Sequence, residues 1–405
     1  DRRRPLLKTT SPSMDILVSS NLERLLYLLS GDTALVSGLM SDLNQEGVYT
    51  VPGALLATIQ REVWAACCDD AKAQEIMSRV YRDWGYLCDP HTASGWAAAE
   101  EYTSQTGDNR PMVVLCQDDL AARRLQEELK GFLSDTAPIL PGRDLTLYDA
   151  AVVSRSWEQK RLRQLYDLAA GKTGLQIMTW ESLSLRTMPK SALLSAAFSL
   201  EVGREYAVED LSSRLTAAGY NRCGMVEGPG QFAVRGGILD IFSPAEDQPV
   251  RAEFFGDELD TMGFFDPATQ RRSENITSVT VLPVAETQPG LHPGGVGGLC
   301  KDITSLISRQ KRRKNINEPL IATLEKDLNK YESGLHNPAS DRYMALIYPE
   351  MATAADYIPD GAVVAVCDHG NLQRAARSRC DEMGMQLDSM LGAGLVAGEL
   401  CDYVS

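Results

Sequence analysis

The sequence predicts an α/β protein, in which a parallel α/β layer is interrupted by a small α+β domain with an antiparallel sheet. A mainly helical region precedes both. Three observations carry this. From residue 111 onward, apolar strand-like runs alternate with amphipathic helix-like runs, the βαβα rhythm of a parallel layer. Between residues 232 and 265, Val, Ile and Phe alternate with polar residues at period two, with GG, SPAEDQP and GDE as turns between two or three consecutive strands. Residues 1–110 are dense in helix signals. The expected domains are 1–110, 111–197, 198–285 and 286–405, the third inserted between the two parts of the α/β layer.

Taken in order, Ser20-x-x-Glu23 reads as a capping box, and Leu22, Leu25, Leu26 and Leu29 then share one helix face. VPGALLATIQREVWAACC and AKAQEIMSRVYRDWGYL continue the helical period. Asp89-Pro90 starts another helix as N-cap and first-turn proline. MVVLCQDDLAARRLQEELKGFL is a strand then a helix, YDAAVVSRSWEQKRLRQLYDLAAG a helix, and TGLQIMTWESLSLR a strand entering a short helix. SLEVGREYAVEDLSSRLTAAGYNR opens the smaller domain with a strand and a capped helix. TQPGLHPGGVGGLC has the composition of a flexible linker. KDITSLISRQKRRKNINEPLIATLEKDLNKYESG is a long charged helix or a helical pair, with KRRK at 311–314 read as a solvated helix face, contact with DNA being the competing reading. GAVVAVCDHGNLQRAARSRCDEMG closes with a strand and a helix.

Composition narrows the function classes. At 405 residues with 44% apolar and 23% charged residues, the chain is of ordinary globular type, large enough for several domains. A net charge of −15 argues against broad binding to a nucleic-acid backbone. No apolar run is long enough to span a membrane. The nine cysteines form no C-x-x-C and no His lies at metal spacing, so reduced, buried thiols in a cytoplasmic protein are expected, and no metal. The opening DRRRPLLK is neither a start nor a signal sequence, and CDYVS follows an apolar stretch; both ends are expected to be cuts inside a longer sequence.

Period-two alternation puts Ala233 and Arg235 on one face of the first strand of the antiparallel run, and Arg251, Glu253 and Phe255 on one face of the next. If those faces point outward, two guanidinium groups stand beside an exposed ring, the composition of a binding hot spot rather than a catalytic site. The same pattern admits a sheet with solvated arginines and Phe255 in its core.

QFAVRGGILDIF followed by PVRAEFFGDELDTMGFFDPATQRR resembles the module shared by the bacterial transcription-repair coupling factor and the excision-repair protein UvrB. The resemblance, over about residues 111–405, implies the N-terminal UvrB-like region of a coupling factor that recruits nucleotide excision repair to stalled transcription. It implies a parallel layer of degenerate P-loop type, consistent with Asp368 at an acidic strand tip and with no phosphate loop at Gly171-Lys172-Thr173, where position 166 is Tyr rather than Gly. It also implies that Arg235, Arg251 and Phe255 bind UvrA. The ATP-driven motor with its Mg, and the contacts with RNA polymerase and DNA, would then belong to downstream domains.

PSMDILVSSNLERLLYLLSG, GYLCDPHTASGWAAAEEY and RPMVVL resemble a different family, the C-terminal part of threonine synthase, a fold-type II lyase that uses pyridoxal phosphate (PLP) to convert O-phosphohomoserine to threonine. This covers about residues 1–115. Ser19, Ser20, Asn21 and Arg24 at a helix start form a candidate phosphate site by amides and helix dipole; a plain capped helix is the competing reading. The family's Schiff-base lysine would lie upstream of residue 1, and the polar residue expected after the last strand is replaced from Cys116 onward. The resemblance therefore implies an inactive fragment with no cofactor of its own, and no complete active site is expected anywhere in the chain. The two families meet inside RPMVVL. A switch within a strand, at a string either family could supply, fits a recombined or misassembled frame better than an evolved fusion. One contiguous sequencing read across that string decides it.

Overall fold

The computed structural model describes residues 5–133, 136–148, 156–350 and 352–403. The chain divides into two compact units, Asp1–Asn109 and Arg110–Ser405.

The first unit is helical, with helices Ser20–Ser30, Thr33–Gln45, Gly53–Glu62, Asp70–Trp84 and Pro90–Thr106. Leu26 of the first is buried beside Val36, Leu39 and Leu43 of the second. Ile76 and Val80 pack separately with Ala93 and Ala97. Asp89 caps the last helix by accepting from the His91 and Thr92 amides, and Pro90 occupies the first turn, where its missing N–H costs nothing. Two expectations are corrected. The first helix is capped by Ser19, whose hydroxyl accepts from the Leu22 amide, so Ser20 and Glu23 form no capping box. The third helix stops at Glu62, and VWAACC is extended at its start, with β-branched Val63 in β geometry at the C-cap.

Among the described residues the second unit holds eleven strands. They are β1 (Met112–Cys116), β2 (Leu175–Thr179), β3 (Phe198–Glu201), β4 (Asn221–Arg222), β5 (Gln231–Arg235), β6 (Ile238–Ile241), β7 (Val250–Phe255), β8 (Glu258–Phe265), β9 (Arg272–Asn275), β10 (Ser278–Val281) and β11 (Val363–Val366). β1 lies between β11 and β2 in a parallel sheet. Helices Asp119–Leu129 and Ser156–Ala169 pack on it; the earlier residues of the second predicted helix, 149–155, lie outside the described residues. Gly171 ends that helix at φ +68°, and the Lys172 amide donates to the Asp167 carbonyl, so Gly-Lys-Thr is a helix terminus.

β3 to β10 form the smaller body. β10 pairs with β3, and β4 to β9 make a six-stranded sheet in sequence order, antiparallel except for β4 on β5. Helix Val208–Ala217 covers one face through Leu211 and Leu215. Its N-cap is Ala207, which has no side-chain acceptor, so the predicted cap is absent; Glu209 and Asp210 in the first turn answer the helix dipole instead.

Beyond this body the predicted helical pair is present as Gly295–Lys311 and Glu318–Glu332. The stretch expected to be a flexible linker is ordered: Thr287 and Gln288 are buried, and GVGGLC is the first turn and a half of a helix. A Cβ on Gly298 would meet the His292 ring at 2.7 Å, so this glycine serves packing rather than flexibility. KRRK is the turn closing the pair rather than a helix face, and Lys311 and Arg313 pair with Glu325 and Glu399. All nine cysteines are free, but only Cys88 and Cys116 are buried; Cys67, Cys367 and Cys380 are exposed, in the segment between two helices, just before a helix and on a solvated helix face respectively. Among the described residues no helix is long and apolar enough to cross a membrane.

The smaller body is anchored where its chain returns. Glu286 is fully buried, with its carboxylate between Arg161 (3.0 Å, an ion pair without hydrogen-bond alignment) and Arg143 (3.6 Å). Thr187 donates to the same carboxylate, the Glu286 amide donates to Glu158 at 2.6 Å, and the Tyr348 hydroxyl donates to the Glu286 carbonyl at 2.9 Å. Buried charges are costly unless paired, so these partners fix the exit segment to the parallel layer.

Candidate functional site

The six-stranded sheet is two-sided. Phe232, Leu239, Ile241, Val250, Ala252 and Met262 point to the main core of the smaller body. Pairing then dictates the opposite face. Ala233 is opposite Asp240, Asp240 opposite Arg251, and Arg251 opposite Gly263, so one row crosses four strands. In the next row lie Arg235, Ile238, Glu253 and Thr261.

Asp240 is fully buried within this face. Arg251 grips it bidentately, Nε to Oδ1 at 2.7 Å and Nη2 to Oδ2 at 2.9 Å, and Arg235 reaches the same Oδ2 through Nη2 at 2.5 Å. One carboxylate thus gathers two guanidinium groups, the geometry that arginine forks favour. Arg235 keeps 45% of its side chain exposed and Arg251 17%, so the pair opens to solvent from one edge. Hydrogen bonding to Asp240 pushes the Arg251 guanidinium above its usual value. Its Cζ also sits 4.5 Å over the buried Phe265 ring.

A turn completes the hold on Arg251. In FDPATQ, Asp266 Oδ1 accepts from the Ala268 and Thr269 amides, and these bonds, Thr269 first, keep its carboxyl below the ordinary range. The chain then passes Gln270 at φ +61°, a strained geometry for a side chain with a Cβ. There the Gln270 carbonyl accepts from Arg251 Nη1 at 3.3 Å and its Oε1 from Nη2 at 3.0 Å. Beside this cluster Arg272 bonds Glu253 at 3.3 Å and Thr261 at 3.2 Å.

Phe255 ends β7. The β7–β8 register shifts between Glu253 and Phe254, an irregularity that twists the strand end, and Gly256 follows at φ +65°. Phe254 turns into the core while Phe255 stands 84% exposed, so the reading that put Phe255 in the core is excluded. Arg235, Arg251 and Phe255 therefore lie on one face of one sheet.

The other sequence-derived candidates belong to other elements. Ser19 is an N-cap, and Arg24 folds back on Ser20, Nε to its carbonyl at 3.3 Å and Nη2 to its hydroxyl at 3.4 Å; Asn21 is exposed. These are the bonds of a capped first turn. Asp368 caps the helix His369–Gly392 by accepting from the Asn371 amide. Sequence reasoning missed Asp240 and Gln270. For Asp240 the signal was available: a lone acid in the apolar strand ILDI between two arginine-bearing strands needs a cation.

The chain is similar to known proteins over several stretches. A family model described as the UvrB interaction domain matches residues 198–286. A transcription-repair-coupling factor of Bacillus subtilis is 24% identical over 295 residues, covering 72% of this chain and 25% of that protein. One from Myxococcus xanthus is 32% identical over 184 residues, covering 44% and 15%. The chain spans about a quarter of the length of the first of these relatives. The structure of PLP-bound threonine synthase from Brucella melitensis shares 42% identity over 25% of this chain and 22% of that one, with a TM-score of 0.24.

Proposed function

We propose that the region from residue 111 is the UvrA-binding module of a transcription-repair coupling factor, and that it works by presenting a surface rather than by performing chemistry. The smaller body, 198–285, is the docking domain, inserted between 111–197 and 286–405 of a UvrB-like layer. Its place in the cell would be cytoplasmic, its role the recruitment of excision repair to stalled transcription, with RNA polymerase and DNA engaged by other domains.

The observation that carries this reading is the conjunction on one sheet face of a ring 84% exposed with two arginines held on one buried carboxylate. Burying an aromatic ring against a partner contributes about 1.5–3 kcal/mol, and arginine with aromatic residues dominates interface energetics. UvrA, immobilised or in a calorimeter, provides the test. Phe255→Ala is expected to weaken capture by about 2 kcal/mol or more, a loss of roughly thirtyfold. Arg235→Glu with Arg251→Glu is expected to abolish it. Near-ultraviolet circular dichroism checks that the domain remains folded, and undiminished capture by folded variants sinks the proposal.

A further inference from the structure

We infer that Asp240 is the positioning residue of this surface: it sets the spacing and direction of Arg235 and Arg251, and thereby prepares them for a partner. The inference rests on the UvrA-binding reading for its functional consequence.

Asp240 has no exposed surface and cannot itself meet a partner. Burial alone gives no reason for a carboxylate there. Its row neighbours are Ala233 and Arg251, and Val226, Phe242 and Phe265 pack close by on the same face, so an apolar side chain would bury as well and without a desolvation cost but would leave Arg251 without its carboxylate. What only a carboxylate supplies at this position is three aligned acceptor contacts: two to Arg251 and one to Arg235. These draw together two like charges that would otherwise separate into solvent. An arginine left free sweeps many rotamers and loses that freedom on binding, whereas one already clamped loses little. The clamp is itself braced, since Gln270 accepts from two more Arg251 donors at a strained backbone position. The two cations on one anion also leave one net positive charge in the cluster, so the fork keeps its attraction after being positioned.

The test has two arms on the whole chain. In the first, arginine side chains are labelled with ¹⁵N and the Arg251 Nε–Hε signal is assigned by its disappearance in Arg251→Lys. In the native protein this proton is expected to exchange slowly with solvent; in Asp240→Asn it is expected to exchange fast. Slow exchange persisting in Asp240→Asn overturns the inference without reference to any partner. In the second arm, Asp240→Asn is expected to bind UvrA at least about tenfold more weakly. In the Arg235→Ala/Arg251→Ala background it is expected to cause no further loss, because a positioning residue acts only through the groups it positions; an equal further loss marks a merely structural residue and overturns the inference. If Asp240→Asn fails to fold, Arg251→Lys keeps the charge but forfeits the bidentate grip, and unchanged UvrA affinity for it is equally fatal. Absence of UvrA binding by the native chain defeats the function proposed above, while the exchange arm still decides the role of Asp240.

Discussion

Gly263 stands at the crossing of β8 and β9 because nothing larger fits. A Cβ there would lie 2.5 Å from Arg272 Nε and 2.6 Å from the Glu274 carbonyl oxygen. The arginine tip can swing away, but the backbone oxygen cannot, so Gly263→Ala must push β9 off the sheet edge. The expected cost is about 1–3 kcal/mol, read as a lowered unfolding midpoint in denaturant. An unchanged midpoint would mean that β9 contributes nothing to this edge. Glycines of this kind are invisible in a sequence, because the neighbour that excludes a side chain comes from another strand. Arg235, Arg251 and Phe255 were legible, since period-two alternation fixes which residues share a face once the strands are recognised. Gln270 was not: its role comes from a positive φ, which a TQR string does not announce.

Among the elements, helix Pro90–Thr106 offers the sharpest test of a local rule. Backbone hydrogen bonding from Thr92 holds the exposed Asp89 carboxyl below its ordinary value of 3.8. A lowered folded-state pKa means that the cap's contribution is complete above that ordinary value and disappears as pH falls through the lowered one. Acid titration followed by far-ultraviolet circular dichroism is expected to show a helical loss in that window that Asp89→Ala lacks. Identical titrations of the two proteins would remove Asp89 from the account. This helix was readable because its cap and proline are adjacent in sequence. Helix Thr33–Gln45 escaped sequence reading: its apolar spacing is broken by Ser37 and Gly38, and the packing of Val36, Leu39 and Leu43 on Leu26 outweighs local propensity. Helix His369–Gly392 shows the converse. It was readable from its pattern, yet none of its side chains is fully buried, and Val363, Val364 and Val366 of the preceding strand are exposed at the sheet edge. A run that reads as interior strand tells only what could be covered, not what covers it.

At the scale of the molecule the two units differ in the cores they own. Arg110–Ser405 holds two extensive clusters, one running from Val113 to Leu400 and one from Leu200 to Val284, while Asp1–Asn109 relies on two small ones around Leu26 and Ile76. The first unit also exposes Leu7, Leu28, Tyr81 and Leu87. Stability varies with buried apolar contact, so limited proteolysis is expected to cut within residues 1–109 first and to leave a resistant fragment beginning near residue 110. Equal survival of both units, followed by mass spectrometry over time, would refute this. The parallel layer and the inserted sheet were legible as wholes because each repeats its own period. How the inserted sheet is held was not, since Arg143, Arg161, Thr187 and Glu286 converge from four separate stretches of chain. That convergence has a mechanical consequence. A handle whose shank is wedged into its socket resists swivelling, and Glu286, fully buried among partners from the parallel layer, is placed as that wedge. Whatever grasps this sheet therefore steers the body behind it.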